Sequence, residues 1–155
     1  MRVMACLVIG YFMGTVNPSY IIGRMRGMDI RAEGSGNAGA SNAIIMMGKA
    51  VGALCALFDI FKAYAAYRVC SLLFPLLEPA GVLAGAGCML GHIFPALLGF
   101  KGGKGILSGC VVAFIIDWRI GLILLGIFAL VYGLTKYVSL ASVLGALAFG
   151  ISFVL

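Results

Sequence analysis

Acidic residues are scarce in this chain: five aspartates and glutamates among 155 residues, with one histidine and one tryptophan. So few carboxylates and a single imidazole leave no cluster at metal-ligand spacing, and no metal is expected. His92 is the lone histidine. No Cys-x-x-C pair occurs. The five cysteines (Cys6, Cys55, Cys70, Cys88, Cys110) fall in or beside apolar runs, as small buried hydrophobes do, and neither a disulfide framework nor a zinc site follows. Charged residues make up 10% of the chain, against roughly a quarter in soluble domains. With 63% hydrophobic residues and a mean hydropathy of +1.16, the composition excludes an ordinary soluble domain and points to the bilayer.

What is plentiful is glycine, at 23 residues, and long apolar sequence. Six apolar segments can be drawn, at 3–23, 47–74, 79–98, 105–117, 119–134 and 139–155. Spanning takes about 20 residues, fewer where a helix end is buried in protein, so the fourth and fifth are short. The expectation is an all-α, polytopic membrane helix bundle of about six transmembrane helices, a single domain over 1–155. Arg2 followed by an apolar run mimics a signal peptide. The small-residue cleavage pattern is missing, however, and Asn17-Pro18 interrupts the run, so a retained helix is expected. Glycines such as those of GVLAGAG (81–87) let membrane helices approach closely.

The net charge of +6 is spread too thinly among apolar runs to form a nucleic-acid surface, and no nucleic-acid partner is expected. It fits asymmetric membrane loops. Loops 24–42, 99–104 and 135–138 hold Arg24, Arg26, Arg31, Lys101, Lys104 and Lys136, whereas Arg2, Arg68 and Arg119 fall on the other side. The positive-inside rule then places the N-terminus outside and these three loops in the cytoplasm. The same loops are the richest in Gly, Ser and Asn: EGSGNAGASN (33–42), GFKGGKG (99–105) and TKYVSLAS (135–142). Alternation of six helices puts all three on one face, as a single site requires.

GSGNAG (34–39) has the form G-x-G-x-x-G but follows a membrane helix instead of a strand. GFKGGKG is not a phosphate-binding P-loop, since Leu98 stands where its first glycine belongs and Gly105 replaces the metal-binding Ser/Thr. The physics common to such loops remains. Glycine turns expose successive N–H groups to an anion, helix N-termini add partial positive charge, and Lys101 and Lys104 add full charge. Plainer readings stand beside this one. The glycine–lysine loop can be a flexible positive turn, Ser35, Asn37, Ser41 and Asn42 can cap helices, and His92 can be structural. Asp59 and Lys62, at i, i+3, can pair with each other, although an ionisable residue inside a membrane is a functional candidate by default.

Taken in order, EGSGNAGASN, GKAVGALCALFDIFKA (48–63), GHIFPALLGFKGGKG (91–105) and TKYVSLAS resemble the bacterial acyl-phosphate:glycerol-3-phosphate acyltransferase (PlsY) family. The resemblance implies a multi-pass enzyme of the bacterial cytoplasmic membrane, active in phospholipid synthesis and without a cofactor. Its substrates would be acyl phosphate and glycerol 3-phosphate, with the acyl chain moved to the 1-hydroxyl to give lysophosphatidic acid. Carried over, Ser35 and Lys104 are the catalytic candidates. Gly36, Asn37, Gly39, Asn42, Lys101, Gly102, Gly103, Gly105, Ser139 and Ser142 are the candidates for binding phosphate and substrate, with His92, Asp59 and Lys62 as support. Two departures accompany the resemblance: Ile45 stands where family members usually have arginine, and the family's seventh helix, with its His and Asn motif, would lie beyond residue 155.

No Ser-His-Asp set, Cys-His pair or His-x4-Asp pattern is present: Leu97 stands five residues after His92. An acyl phosphate is already activated, so holding two phosphates and aligning a hydroxyl with a carbonyl is enough. The expected mechanism is direct transfer. Lys104 with the 102–105 backbone holds one phosphate, Ser35 with the 36–39 amides holds the other, and the acyl chain lies between helices. Lys104→Ala is expected to damage activity more than Gly103→Ala, and Lys101→Ala to be milder if that lysine mainly snorkels to lipid headgroups. The alternatives are a small transporter or channel for an anionic solute, or an inactive homologue.

Overall fold

Proline cannot supply the N–H that a helix interior needs, and in the computed structural model, which describes residues 1–152, the first apolar run is split accordingly. Helix α1 (Arg2–Thr15) stops before the Asn17-Pro18 dipeptide and α2 (Pro18–Met25) starts on it. Pro18 occupies the first helical position, where no N–H is missed. Asn17 Oδ1 accepts the Tyr20 N–H at 3.0 Å and the Ser19 hydroxyl at 2.7 Å.

The chain continues through α3 (Ala40–Met47), α4 (Lys49–Leu73), α5 (Ala80–Ile93), a 3₁₀ turn (Ala96–Leu98), α6 (Ile106–Ile116), α7 (Trp118–Thr135) and α8 (Val138–Ile151). Within the described residues all six apolar segments are helical and no strand occurs. The last residues of the sixth segment, 153–155, lie outside the described residues. Among the described residues, four stretches are long and apolar enough to cross a membrane: Arg2–Met25, Lys49–Leu73, Ala80–Leu98 and Trp118–Thr135. The helices Ile106–Ile116 and Val138–Ile151 are apolar but shorter. The protein is thus an all-α integral membrane helix bundle. One element differs from expectation, because residues 40–42, read as the end of a loop, open the additional helix α3. Gly48, at φ 94°, separates it from α4. Eight residues between two glycines are too few for a periodic signal to stand out in the sequence.

The described residues fall into two compact units, Met1–Gly109 and the part from Cys110 onward. In the first unit α1 and α5 run parallel along a seam of small residues. A Cβ on Gly10 or Gly14 would overlap the Ala84 or Cys88 carbonyl, and one on Gly87 or Gly91 the Leu7 or Tyr11 carbonyl. Backbones can come this close only without side chains between them. Helix α4 packs antiparallel against both, with Tyr67 and Ser71 facing Gly81 near one end of α5. Arg2 and the 73–76 turn gather at that end, and the glycine-rich loops gather at the other. In the second unit α7 packs on α8, and the Asp117 carboxylate caps α7 by accepting the Arg119 N–H at 2.8 Å.

Candidate active site

Both glycine-rich loops meet at one end of the first unit. The Ala38 N–H donates to Gly102 O at 3.3 Å, and Asn17 Nδ2 donates to Ala38 O at 2.7 Å. The helix break therefore has a second consequence, since its buried asparagine anchors the first loop. Asn42, fully buried on α3, fastens the same loop from the other side. Its amide donates to Ile30 O and Glu33 O, both at 2.9 Å, and its Oδ1 accepts the Ser35 N–H at 2.9 Å. Ile30 and Ala38, with no exposed surface, pack with Ala43, Met47 and Cys55 beneath the loop.

Further out, Arg31 ties the segments together. Its guanidinium pairs with Asp29 at 2.7 Å, donates to Leu98 O and lies 4.7 Å from the centre of the Tyr20 ring. The hydrogen bonds from Arg31 hold the Asp29 carboxyl down at about 2. A carboxyl lowered in the folded state stabilises above its ordinary pKa, and that contribution is lost only as pH falls toward the lowered value. The clasp is therefore intact at neutral pH.

The second loop is fixed by the end of α5. Gly102 N–H donates to Ile93 O at 3.1 Å and Gly103 N–H to His92 O at 3.0 Å. Tyr11 on α1 braces the approach, its hydroxyl donating to Phe94 O at 2.8 Å and accepting the Ala96 N–H at 3.0 Å. These bonds alter the picture drawn from sequence. The amides of Gly102 and Gly103, expected to cradle phosphate, are engaged by α5. Those of Gly36, Ala38 and Gly39 donate to Glu33, Gly102 and Asn37 carbonyls. The glycines shape the loops and allow close approach. The amides in the first turns of α3 and α6, which have no intrahelical acceptor, remain open to a ligand.

Those two first turns face one cleft, lined by Ser35, Asn37, Gly39, Ala40, Ser41, Asp59, His92, Lys104, Gly105, Ile106, Leu107 and Ser108. Ser35 and Lys104 are exposed at its mouth, whereas Gly39, Gly105 and Ser108 are buried. Two helix N-termini and one lysine make a positive, donor-rich concavity suited to an anion.

Beneath the cleft, three ionisable groups are nearly sealed from solvent: Asp59 is 4%, Lys62 3% and His92 4% exposed. The pairing expected from the i, i+3 spacing is formed, with Lys62 Nζ 2.8 Å from Asp59 Oδ1. Nζ is also 2.8 Å from His92 Nδ1, which lies 3.2 Å from Asp59 Oδ1. The ammonium further donates to Gly14 O at 3.1 Å and Val16 O at 2.8 Å, carbonyls left without intrahelical donors where α1 breaks. The far edge of the His92 ring abuts Gly103.

Within the first unit, not every sequence candidate lines this cleft. Lys101 lines a separate groove with Tyr20, Asp29 and Arg31. Gly36, at φ 71°, forms a turn, and Asn42 acts on the backbone as described. Ile45 is 67% exposed. Ser139 and Ser142 belong to the second unit, where the Ser142 hydroxyl donates to Val138 O. Ser108 and the first turn of α6 were missed by sequence reading, since one serine in an apolar run carries no signal.

The chain can now be set beside known proteins. The glycerol-3-phosphate acyltransferase family profile matches residues 4–155. A glycerol-3-phosphate acyltransferase of Thermosipho melanesiensis is 40% identical over 151 residues, which cover 94% of this chain and 71% of that protein. One of Clostridioides difficile is 40% identical over 143 residues, covering 89% and 70%. The crystal structure of PlsY, an integral membrane glycerol 3-phosphate acyltransferase, in its glycerol 3-phosphate form superposes with a TM-score of 0.85 at 29% identity, covering 99% of this chain and 78% of that one. Its lysophosphatidic acid form gives 0.81 at 28% identity, covering 99% and 77%.

Proposed function

This chain belongs to the glycerol-3-phosphate acyltransferase family, and from that premise we propose that it moves a fatty acyl chain from acyl phosphate to the 1-hydroxyl of glycerol 3-phosphate. The products are lysophosphatidic acid and inorganic phosphate. One observation supports this reading above the others: the hydrogen bond from Ala38 to Gly102 joins the two glycine-rich loops around a single cleft holding Ser35 and Lys104. A reaction between two phosphorylated substrates needs such a convergence of donors.

In the proposed transfer the 1-hydroxyl oxygen attacks the acyl carbonyl carbon, and the bond from that carbon to the phosphate oxygen breaks. The departing phosphate takes the hydroxyl proton, so no protein nucleophile is needed. The protein's part is to hold both phosphates, offset their charge and align the reacting atoms. Lys104 with the first turn of α6 binds one phosphate, and Ser35 with the first turn of α3 binds the other. His92, with Asp59 and Lys62 behind it, supports the loop from below. Acyl phosphate and glycerol 3-phosphate, incubated with the purified protein in detergent, should yield lysophosphatidic acid detectable by mass spectrometry. No product from protein that folds and binds both substrates would make the chain an inactive homologue.

Lys104→Ala should lower kcat/KM. A charge-assisted hydrogen bond is worth roughly 1.5–3 kcal/mol, or about tenfold to a hundredfold. Lys104→Gln should recover little, because length without charge leaves the phosphate uncompensated. Initial rates across glycerol 3-phosphate concentrations measure this, and wild-type kinetics in both variants would reduce the loop to a positive turn.

We place the cleft on the cytoplasmic side of the bacterial inner membrane, with the N-terminus outside. The positive-inside count supports this, as does the gathering of Arg31 and Lys101 along one groove near the cleft. Single cysteines at positions 26 and 101 in a cysteine-free background should resist an impermeant thiol reagent in intact cells and react after permeabilisation. Labelling from outside would reverse the orientation.

A further inference from the structure

Ser108 lies on the first turn of α6, 1% exposed, and its Oγ has no hydrogen-bond partner among the described residues. It lines the cleft together with Lys104 and Ser35. Helical serines commonly return their hydroxyl to a carbonyl three or four residues back. Ser142 does so with Val138 and Ser152 with Phe149, but Ser108 does not. A buried hydroxyl without a partner disfavours the empty site, and such groups in folded proteins call for an explanation. Here the surroundings supply one, because the hydroxyl sits among the free amides of α6, beside a lysine and opposite the N-terminus of α3.

We propose that Ser108 is a substrate-binding residue whose hydroxyl donates to a phosphate oxygen in the cleft. This rests on the reading of the cleft as the phosphate site. The ligand chemistry is a phosphate oxygen of either glycerol 3-phosphate or acyl phosphate. Serine suits the position because its rotor can follow the oxygen while the α6 amides and Lys104 fix the rest of the group. Occupancy of the cleft would give the hydroxyl the acceptor that the protein withholds.

The proposal joins two effects that a structural serine would not show together. Removing an unpartnered buried hydroxyl should leave the unliganded protein as stable as before or more so, while substrate binding weakens. Ser108→Ala and Ser108→Thr are made in the full chain, with Lys104→Ala as reference. Thermal unfolding is followed without substrate, and initial rates are measured with each substrate varied in turn. Ser108→Ala should unfold at or above the wild-type temperature and raise KM about tenfold for one substrate, the worth of one hydrogen bond to a charged acceptor. Ser108→Thr, which keeps the hydroxyl, should restore it. A rise confined to glycerol 3-phosphate assigns the hydroxyl to the acceptor's phosphate, and a rise confined to acyl phosphate assigns it to the donor's. A lower unfolding temperature, with any loss of activity not restored by threonine, would overturn the proposal in favour of a packing role. Wild-type KM for both substrates in Ser108→Ala would also overturn it. In that event a raised KM in Lys104→Ala would leave the cleft reading standing, and an unchanged one would remove both.

Discussion

Replacing Lys62 by methionine should unfold the detergent-solubilised protein about 10 °C or more below the wild type, if it accumulates at all. The side chain is 3% exposed and meets Asp59, His92 and two carbonyls at the break after α1. Methionine fills a similar volume, so the loss is chiefly electrostatic. Asp59 is left as a buried carboxylate without its cation, and the Gly14 and Val16 carbonyls lose their donor. Breaking a buried pair from one side costs about 3–5 kcal/mol, a large fraction of a typical total stability of about 5–15 kcal/mol. Converting both partners to apolar residues is far less harmful than removing one, so Lys62→Met with Asp59→Leu should regain part of the loss. Thermal unfolding and size-exclusion chromatography of the two variants measure this. A single variant unfolding alongside the wild type would mean that the ammonium does not hold α1, α4 and α5 together.

The pairing of Asp59 with Lys62 is local, one helical turn apart, and could be read from spacing alone. Its connection to the helix break and to His92 could not, because those contacts join residues 30 to 48 positions apart and exist only once α1, α4 and α5 pack. The apolar segments were legible because span length and composition are imposed by the bilayer. The candidate site was legible as two motifs, GSGNAG and GFKGGKG, but not in the details of its lining. Sequence suggested that glycine amides would face the anion, and the structure instead pairs several of them with carbonyls of their own loop and of α5. Which amides remain is decided by where α3 and α6 begin, and helix starts without a strong cap are poorly marked in sequence. Asn17 and Ser108 illustrate the same limit. One reads as a helix breaker and the other as a lone polar residue, until tertiary structure brings Ala38 to the first and the cleft to the second.

Gly103→Ala should lower kcat/KM by about a hundredfold or more, exceeding the effect of Lys104→Ala and reversing the order suggested by charge alone. A Cβ at Gly103 would overlap His92 Nε2 and stand 3.0 Å from Ala38 O. Neither neighbour can yield easily. The imidazole is held from behind at Nδ1 by Lys62, and the Ala38 carbonyl is held by Asn17. The added methyl must therefore push the two glycine loops apart, and a misplacement of about 1 Å at a positioned reaction costs on the order of a hundredfold. Lys104, exposed on a flexible stem, contributes charge that neighbouring amides partly replace. Its loss should not move the backbone that lines the cleft. Gly109→Ala provides the control, because its Cβ would meet only the flexible end of Met89, at 3.2 Å, and alanine favours a helix by about 1 kcal/mol over glycine. Its rate should stay near that of the wild type. Both variants should elute as folded protein, so that rates compare site geometry and not folding. Near-normal turnover in Gly103→Ala would show that the contact between the loops is not what aligns the two phosphates, and the cleft would then need another source of its precision.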